Sequence, residues 1–219
     1  HGYKVFKRSF YRDNLSYVVR RTYNKPRELI HILSSVEGCS LVYVRTRRQA
    51  ERFAQLLQDA GFSADFFHAG LDPSVKQQRQ QAWQSEELRI MVCTTAFGMG
   101  IDKDNVRLVI HPISPFSPES YYQEAGRAGR DGKRSYAVLL YTPLEDEEYL
   151  SKLIKSHYPP PETVVQIYNW LGDYFRVAVE SGTGSYHELL PYDFIKRYHC
   201  PLFVLKAALK ILTLSGYIE

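Results

Sequence analysis

The sequence predicts an α/β protein, a parallel sheet flanked by helices, followed by a small, mainly helical module of helix-turn-helix or winged-helix type. Short apolar, β-rich runs alternate with helical stretches from position 41 to 142, the pattern of strands joined by crossover helices. Pro159, Pro160 and Pro161 then break that pattern, because proline neither continues a helix nor sits in a central strand. Beyond them, apolar residues recur at helical spacing.

Taken in order, Ser40–Val44 reads as a buried strand. Thr46 is a plausible N-cap for a helix carrying Ala50, Phe53, Ala54 and Leu57, which Gly61 ends. Ala64–Phe67 is a strand, and Pro73–Trp83 a helix with proline in its first turn. Leu88–Cys93 and Val106–Ile110 are further strands, Pro118–Glu124 starts a helix, and Tyr136–Tyr141 is another strand. Ligands on such sheets sit beyond the carboxyl ends of the strands, so function is expected after Val44, Phe67, Cys93 and Ile110. Glu145–Glu148 reads as the solvated start of a helix. Residues 1–156 are expected to form the α/β domain, 157–161 a proline linker and 162–219 the helical module. In that module Glu162–Phe175 is a helix, Ser181–Ser185 a loop, and Tyr192–His199 and Pro201–Leu214 two helices joined by a tight turn.

The chain has 219 residues, 44% hydrophobic and 24% charged, an ordinary globular composition. No apolar run approaches the roughly 18 residues of a membrane span, and no membrane partner is expected. His1-Gly2 reads as a cut within a longer protein or a tag remnant, with no signal peptide. Cys39, Cys93 and Cys200 lack metal-ligand spacing, so no zinc is expected. The net charge of +4 is uneven: residues 1–50 hold eleven Lys/Arg against three Asp/Glu, a basic segment able to track phosphates, though charge clustered along a sequence is equally a solvated surface.

One segment carries the chemistry. Gln123-Glu124-Ala125-Gly126-Arg127-Ala128-Gly129-Arg130-Asp131-Gly132 sets two arginines three residues apart among small residues. Arginine stays charged and grips phosphate with a planar fork, so this turn reads as fixed cations aimed at a polyphosphate. Gln123 is placed to orient a water or read the terminal phosphate, and Asp131 to hold one arginine.

That decapeptide resembles motif VI of superfamily 2 helicases in the form used by the RecQ family of DNA helicases. Thr94–Lys103 is similar to RecQ motif V, Val42–Arg47 to motif IV, Phe67–Leu71 to the element that follows it, and Ser9–Leu15 to the stretch opening the second lobe. The resemblance covers residues 3 to about 155 in order. It implies a RecA-like lobe of P-loop NTPase type. It further implies Arg130 as arginine finger, Arg127 as a second γ-phosphate contact, the motif VI glutamine at Gln123, and nucleotide contacts from Asp102 and Gly100. Thr94, with Arg45, Arg47, His68 and Gly70, would line a DNA-backbone track, although a lone His68 beside a strand is more often structural. ATP with Mg2+ would be bound mainly by a first lobe, since no Gly-x-x-x-x-Gly-Lys-Ser/Thr loop occurs here. The expected partners are DNA, single-stranded and at a fork duplex, and that first lobe of the same polypeptide. The location would be cytoplasmic at a bacterial nucleoid, or nuclear in a eukaryote. Residues 156–200 supply one cysteine, so the zinc subdomain common in the family is not carried over. The alternatives are an RNA-directed superfamily 2 lobe and a non-catalytic docking unit.

Overall fold

The computed structural model describes residues 11–98, 102–178, 182 and 184–219. Two compact units divide between Asp146 and Glu147, upstream of the proline run. In the first, β1 (Leu15–Arg21), α1 (Lys25–Ser35), β2 (Cys39–Tyr43), α2 (Arg47–Asp59), β3 (Ala64–Phe67), α3 (Pro73–Gln84), β4 (Ile90–Cys93), β5 (Val106–His111), α4 (Pro118–Ala125) and β6 (Ser135–Tyr141) follow one another. The six strands form one sheet in the order β1-β6-β5-β2-β4-β3, and every neighbouring pair is parallel. β1 and α1 are additions to the sequence reading, which began the sheet at residue 40.

Strand side chains alternate between the two faces, and here both faces are covered. Val42, Val44, Ile90, Val92, Leu108 and Ile110 pack with Leu29 and Leu33 of α1 and Ala50, Ala54 and Leu57 of α2. Leu41, Tyr43, Met91, Cys93 and Val109 pack on the other face with Trp83 of α3, Phe97, Ala125 and Ala128. That double cover explains why β2 reads as an unbroken apolar run with every residue buried. Thr46 caps α2 as expected, in a capping box with Gln49.

The second unit begins within α5 (Glu145–His157) and continues through α6 (Pro161–Phe175), α7 (Pro191–Tyr198) and α8 (Leu202–Leu214). Its core joins Val164, Ile167 and Leu171 of α6 to Phe194, Leu205, Ala208 and Leu212. His199 ends α7 at φ +50°, making the tight turn expected between the last two helices. Among the described residues this unit has four helices and no strand, so a winged-helix reading rests on the helices alone. Ser181 and Thr183 lie outside the described residues.

Candidate functional site

α4 opens on Ser117, whose hydroxyl accepts from the Ser120 amide at 3.2 Å, with Pro118 in the first turn. The helix runs back across the sheet from the carboxyl end of β5 and leads into a turn that meets the amino end of the same strand. There the Gly129 amide donates to the Val106 carbonyl at 2.8 Å, and the Asp131 amide to the Asp104 carbonyl at 3.2 Å. Ala125 and Ala128 are fully buried; their small side chains let the turn sink onto the sheet. Gly129 has φ +62°, and a Cβ there would lie 2.6 Å from both Asn14 Nδ2 and Ser135 Oγ, so only glycine fits without displacement. Asn14 Nδ2 donates to the Gly129 carbonyl at 2.6 Å and the Lys133 carbonyl at 2.9 Å. Arg12 donates to the carbonyls of Gly126, at 3.2 Å, and Gly129. Arg12 and Asn14 thus hold the arginine turn from the far end of the sequence. The sequence reading quoted both without giving either a role.

Gln123, Arg127 and Arg130 follow one another at i, i+4 and i+7 along α4 and this turn. Gln123 is exposed. Arg130 is paired with Asp102, and the two side chains keep 36% and 79% of their exposure. Such an open ion pair is worth about 0–1 kcal/mol, so an incoming anion displaces Asp102 at little cost. Arg127 is half-buried, its guanidinium against Gly98 and hydrogen-bonded to the Tyr43 hydroxyl, while its buried Nε has no partner. Between these arginine-bearing positions, Glu124 is buried and meets His111 Nε2 at 2.8 Å, fastening α4 to the end of β5. Asp131 holds an arginine, but it is Arg107 and neither of the motif pair; the hydrogen bond from Arg107 pulls its carboxyl below the usual carboxylate range. Gly100 lies outside the described residues.

The candidate nucleic-acid residues gather at the opposite edge, beyond the carboxyl ends of β2, β3 and β4. Thr94 closes a turn, its amide donating to the Phe67 carbonyl at 3.2 Å and its carbonyl accepting from the Phe97 amide at 2.9 Å. Arg47 is exposed at the start of α2 and packs over Gly70, where a Cβ would come 2.5 Å from its Nη1. Arg45 is turned inward: it donates to the Ser114 carbonyl and lies 4.3 Å over the Phe116 ring, tying together the segments after β2 and β5. His68 is buried, with Nε2 3.1 Å from Glu51 Oε1 and its ring stacked on Phe66. The expectation that chemistry lies beyond the carboxyl ends holds for this strip. The Arg130–Asp102 pair stands at the amino edge instead, because α4 runs antiparallel to the strands and delivers its last turn there.

A family model described as the helicase conserved C-terminal domain matches residues 24–132. The chain is 39% identical over 163 residues to the ATP-dependent DNA helicase RecQ of Pasteurella multocida, covering 74% of this chain and 26% of that protein. It is 43% identical over 135 residues to the protein of the same name in Bacillus subtilis, covering 61% and 23%. Among solved structures it is similar to the RNA-helicase Prp28 from Chaetomium thermophilum bound to ADP, with a TM-score of 0.56 and 26% identity over 65% of this chain and 36% of that one. The chain spans about a quarter of the length of the first curated relatives it matches.

Proposed function

We propose, since the chain belongs to the RecQ family of superfamily 2 helicases and forms its second RecA-like lobe, that it completes the ATP site of a DNA helicase whose phosphate loop lies on another lobe. The observation that carries this reading is the presentation of Gln123, Arg127 and Arg130 on α4 and one turn, with Arg130 opposed only by an exposed carboxylate. Hydrolysis builds charge on the γ-phosphoryl oxygens, and an arginine delivered from outside the phosphate loop is worth roughly 10³–10⁵ in rate. The buried, unpartnered Nε of Arg127 and the loosely held Arg130 fit a polyphosphate. Arg130 would leave Asp102 for the γ-phosphate, Arg127 would contact the same group, and Gln123 would orient water. ATP, with magnesium held mainly by the first lobe, supplies the bond whose cleavage drives the cycle.

At the carboxyl edge, Thr94, Arg47 and Gly70 would contact the DNA backbone, while Arg45 and His68 hold their segments in shape. Contacts of that kind position a strand without reading its sequence, as translocation requires. Closure on ATP and reopening after hydrolysis would step the strip along single-stranded DNA, with 3′-to-5′ unwinding in repair and recombination, at a nucleoid or in a nucleus.

In the full-length protein, Arg130→Ala is expected to reduce ATP turnover at least 10³-fold with DNA affinity changed little. Normal turnover in that variant would remove the finger assignment. The RNA-directed reading draws on the similarity to Prp28, at 26% identity. Relatives named DNA helicases stand at 39% and 43%, which favours DNA. Stimulation of turnover by single-stranded DNA and not by RNA of the same length is the expected result.

A further inference from the structure

Tyr43 ends β2 with its ring 3% exposed and stacked on His111, centroids 5.6 Å apart. Its hydroxyl donates to the Phe97 carbonyl at 3.0 Å and accepts from the Arg127 guanidinium. Gly98, the next residue after that carbonyl, is the one on which the Arg127 guanidinium rests; a Cβ there would collide with Nη2. One phenol therefore joins three segments: the end of β2, the turn after β4, and the turn after α4. Two residues beyond Tyr43, Arg45 clamps Ser114 and Phe116, and three residues before Phe97 stands Thr94. The edge assigned to nucleic acid and the arginine assigned to nucleotide meet at this hydroxyl. Burial pushes its pKa well above the ordinary tyrosine value, so it stays protonated and keeps its donor for Phe97 throughout the neutral range.

We propose that Tyr43 is a positioning residue for hydrolysis, holding the Arg127 guanidinium against the Gly98 turn so that displacement of the segments after β2 and β4 on DNA binding reaches the γ-phosphate. It acts through Arg127 and touches neither substrate. The inference rests on the reading of Arg127 as a phosphate contact. The inward-facing Glu124–His111 pair keeps the stacked side of the phenol fixed, so only the hydroxyl end is free to transmit the shift.

The test is Tyr43→Phe in the full-length protein, which keeps the ring and its stacking and removes the two hydrogen bonds. DNA-stimulated kcat is expected to fall roughly ten-fold, the effect of one lost hydrogen bond to a charged group. KM for ATP, the half-saturating DNA concentration and the thermal midpoint should stay within about two-fold or a few degrees. A merely structural role would instead move the thermal midpoint and KM together. Arg127→Lys supplies the second arm: combined with it, Tyr43→Phe should cost less than about two-fold more, because residues acting as a unit are not additive. Impaired Arg127→Lys beside normal Tyr43→Phe overturns the inference and leaves the reading of Arg127 standing, as do losses that multiply. Normal turnover in Arg127→Lys overturns the reading of Arg127 and the inference with it.

Discussion

At the scale of single residues, two glycines of the arginine turn share a backbone conformation and differ in surroundings. Gly129 has φ +62° and Gly132 φ +78°, but a Cβ on Gly132 would meet nothing within 4 Å, while one on Gly129 would meet Asn14, Ser135 and the Lys133 carbonyl at 2.6–2.9 Å. Left-handed backbone costs an L-residue about 1–2 kcal/mol, and forcing atoms into a packed site adds about 1–3 kcal/mol. Gly132→Ala is therefore expected to lose about 1–2 kcal/mol of stability and Gly129→Ala about 2–4 kcal/mol, read from urea midpoints at constant slope. Equal losses would show that the Asn14 and Ser135 contacts do not constrain the turn. The arginines themselves were legible in the sequence because their chemistry is local: two forks among small residues. Their supports were not. Arg12 and Asn14 act more than a hundred residues away, and Asp131, adjacent to Arg130, turned out to serve Arg107, a pairing decided by the fold and not by proximity in sequence.

At the scale of elements, segments with local signals were read within a few residues. Ala64–Phe67 matches β3, and Pro73–Trp83 and Pro118–Glu124 each fall one residue short of α3 and α4. Proline in the first turn and apolar periodicity mark such segments without help from tertiary contacts. β1 lacks that help. It is an edge strand in which only Leu15 is buried and Val19 is 65% exposed, and its register is fixed residue for residue by β6, Leu15 against Ser135 to Arg21 against Tyr141. A pairing partner so distant leaves no mark on the strand's own composition. α1 did leave one: an Asn24 cap, Pro26 in the first turn, and Leu29, Ile32 and Leu33 on the buried side. The site shows the same division. The carboxyl-edge strip follows from strand order alone, whereas the amino-edge position of Arg130 follows from the direction in which α4 returns, which needs the three-dimensional path.

At the scale of the whole molecule, each unit carries its own apolar core and one of the two tryptophans. Trp83 is fully buried in the first, with its indole N–H 3.4 Å from the Ser40 carbonyl; Trp170 stacks on Tyr198 in the second, centroids 5.1 Å apart. Among the described residues the first unit has buried clusters of fourteen and fifteen residues, the second one of eight. Smaller units bury a smaller share of their chain and are correspondingly less stable, and units with separate cores need not unfold together. In a Trp170→Phe chain all tryptophan emission comes from the first unit, while far-UV circular dichroism reports helices of both. The helical signal is expected to begin falling at lower urea than the Trp83 emission shifts, because the second unit is built of helices and melts first. Coincident curves would show a single cooperative transition, and with it that the smaller core is stabilised by the larger one and not by its own packing.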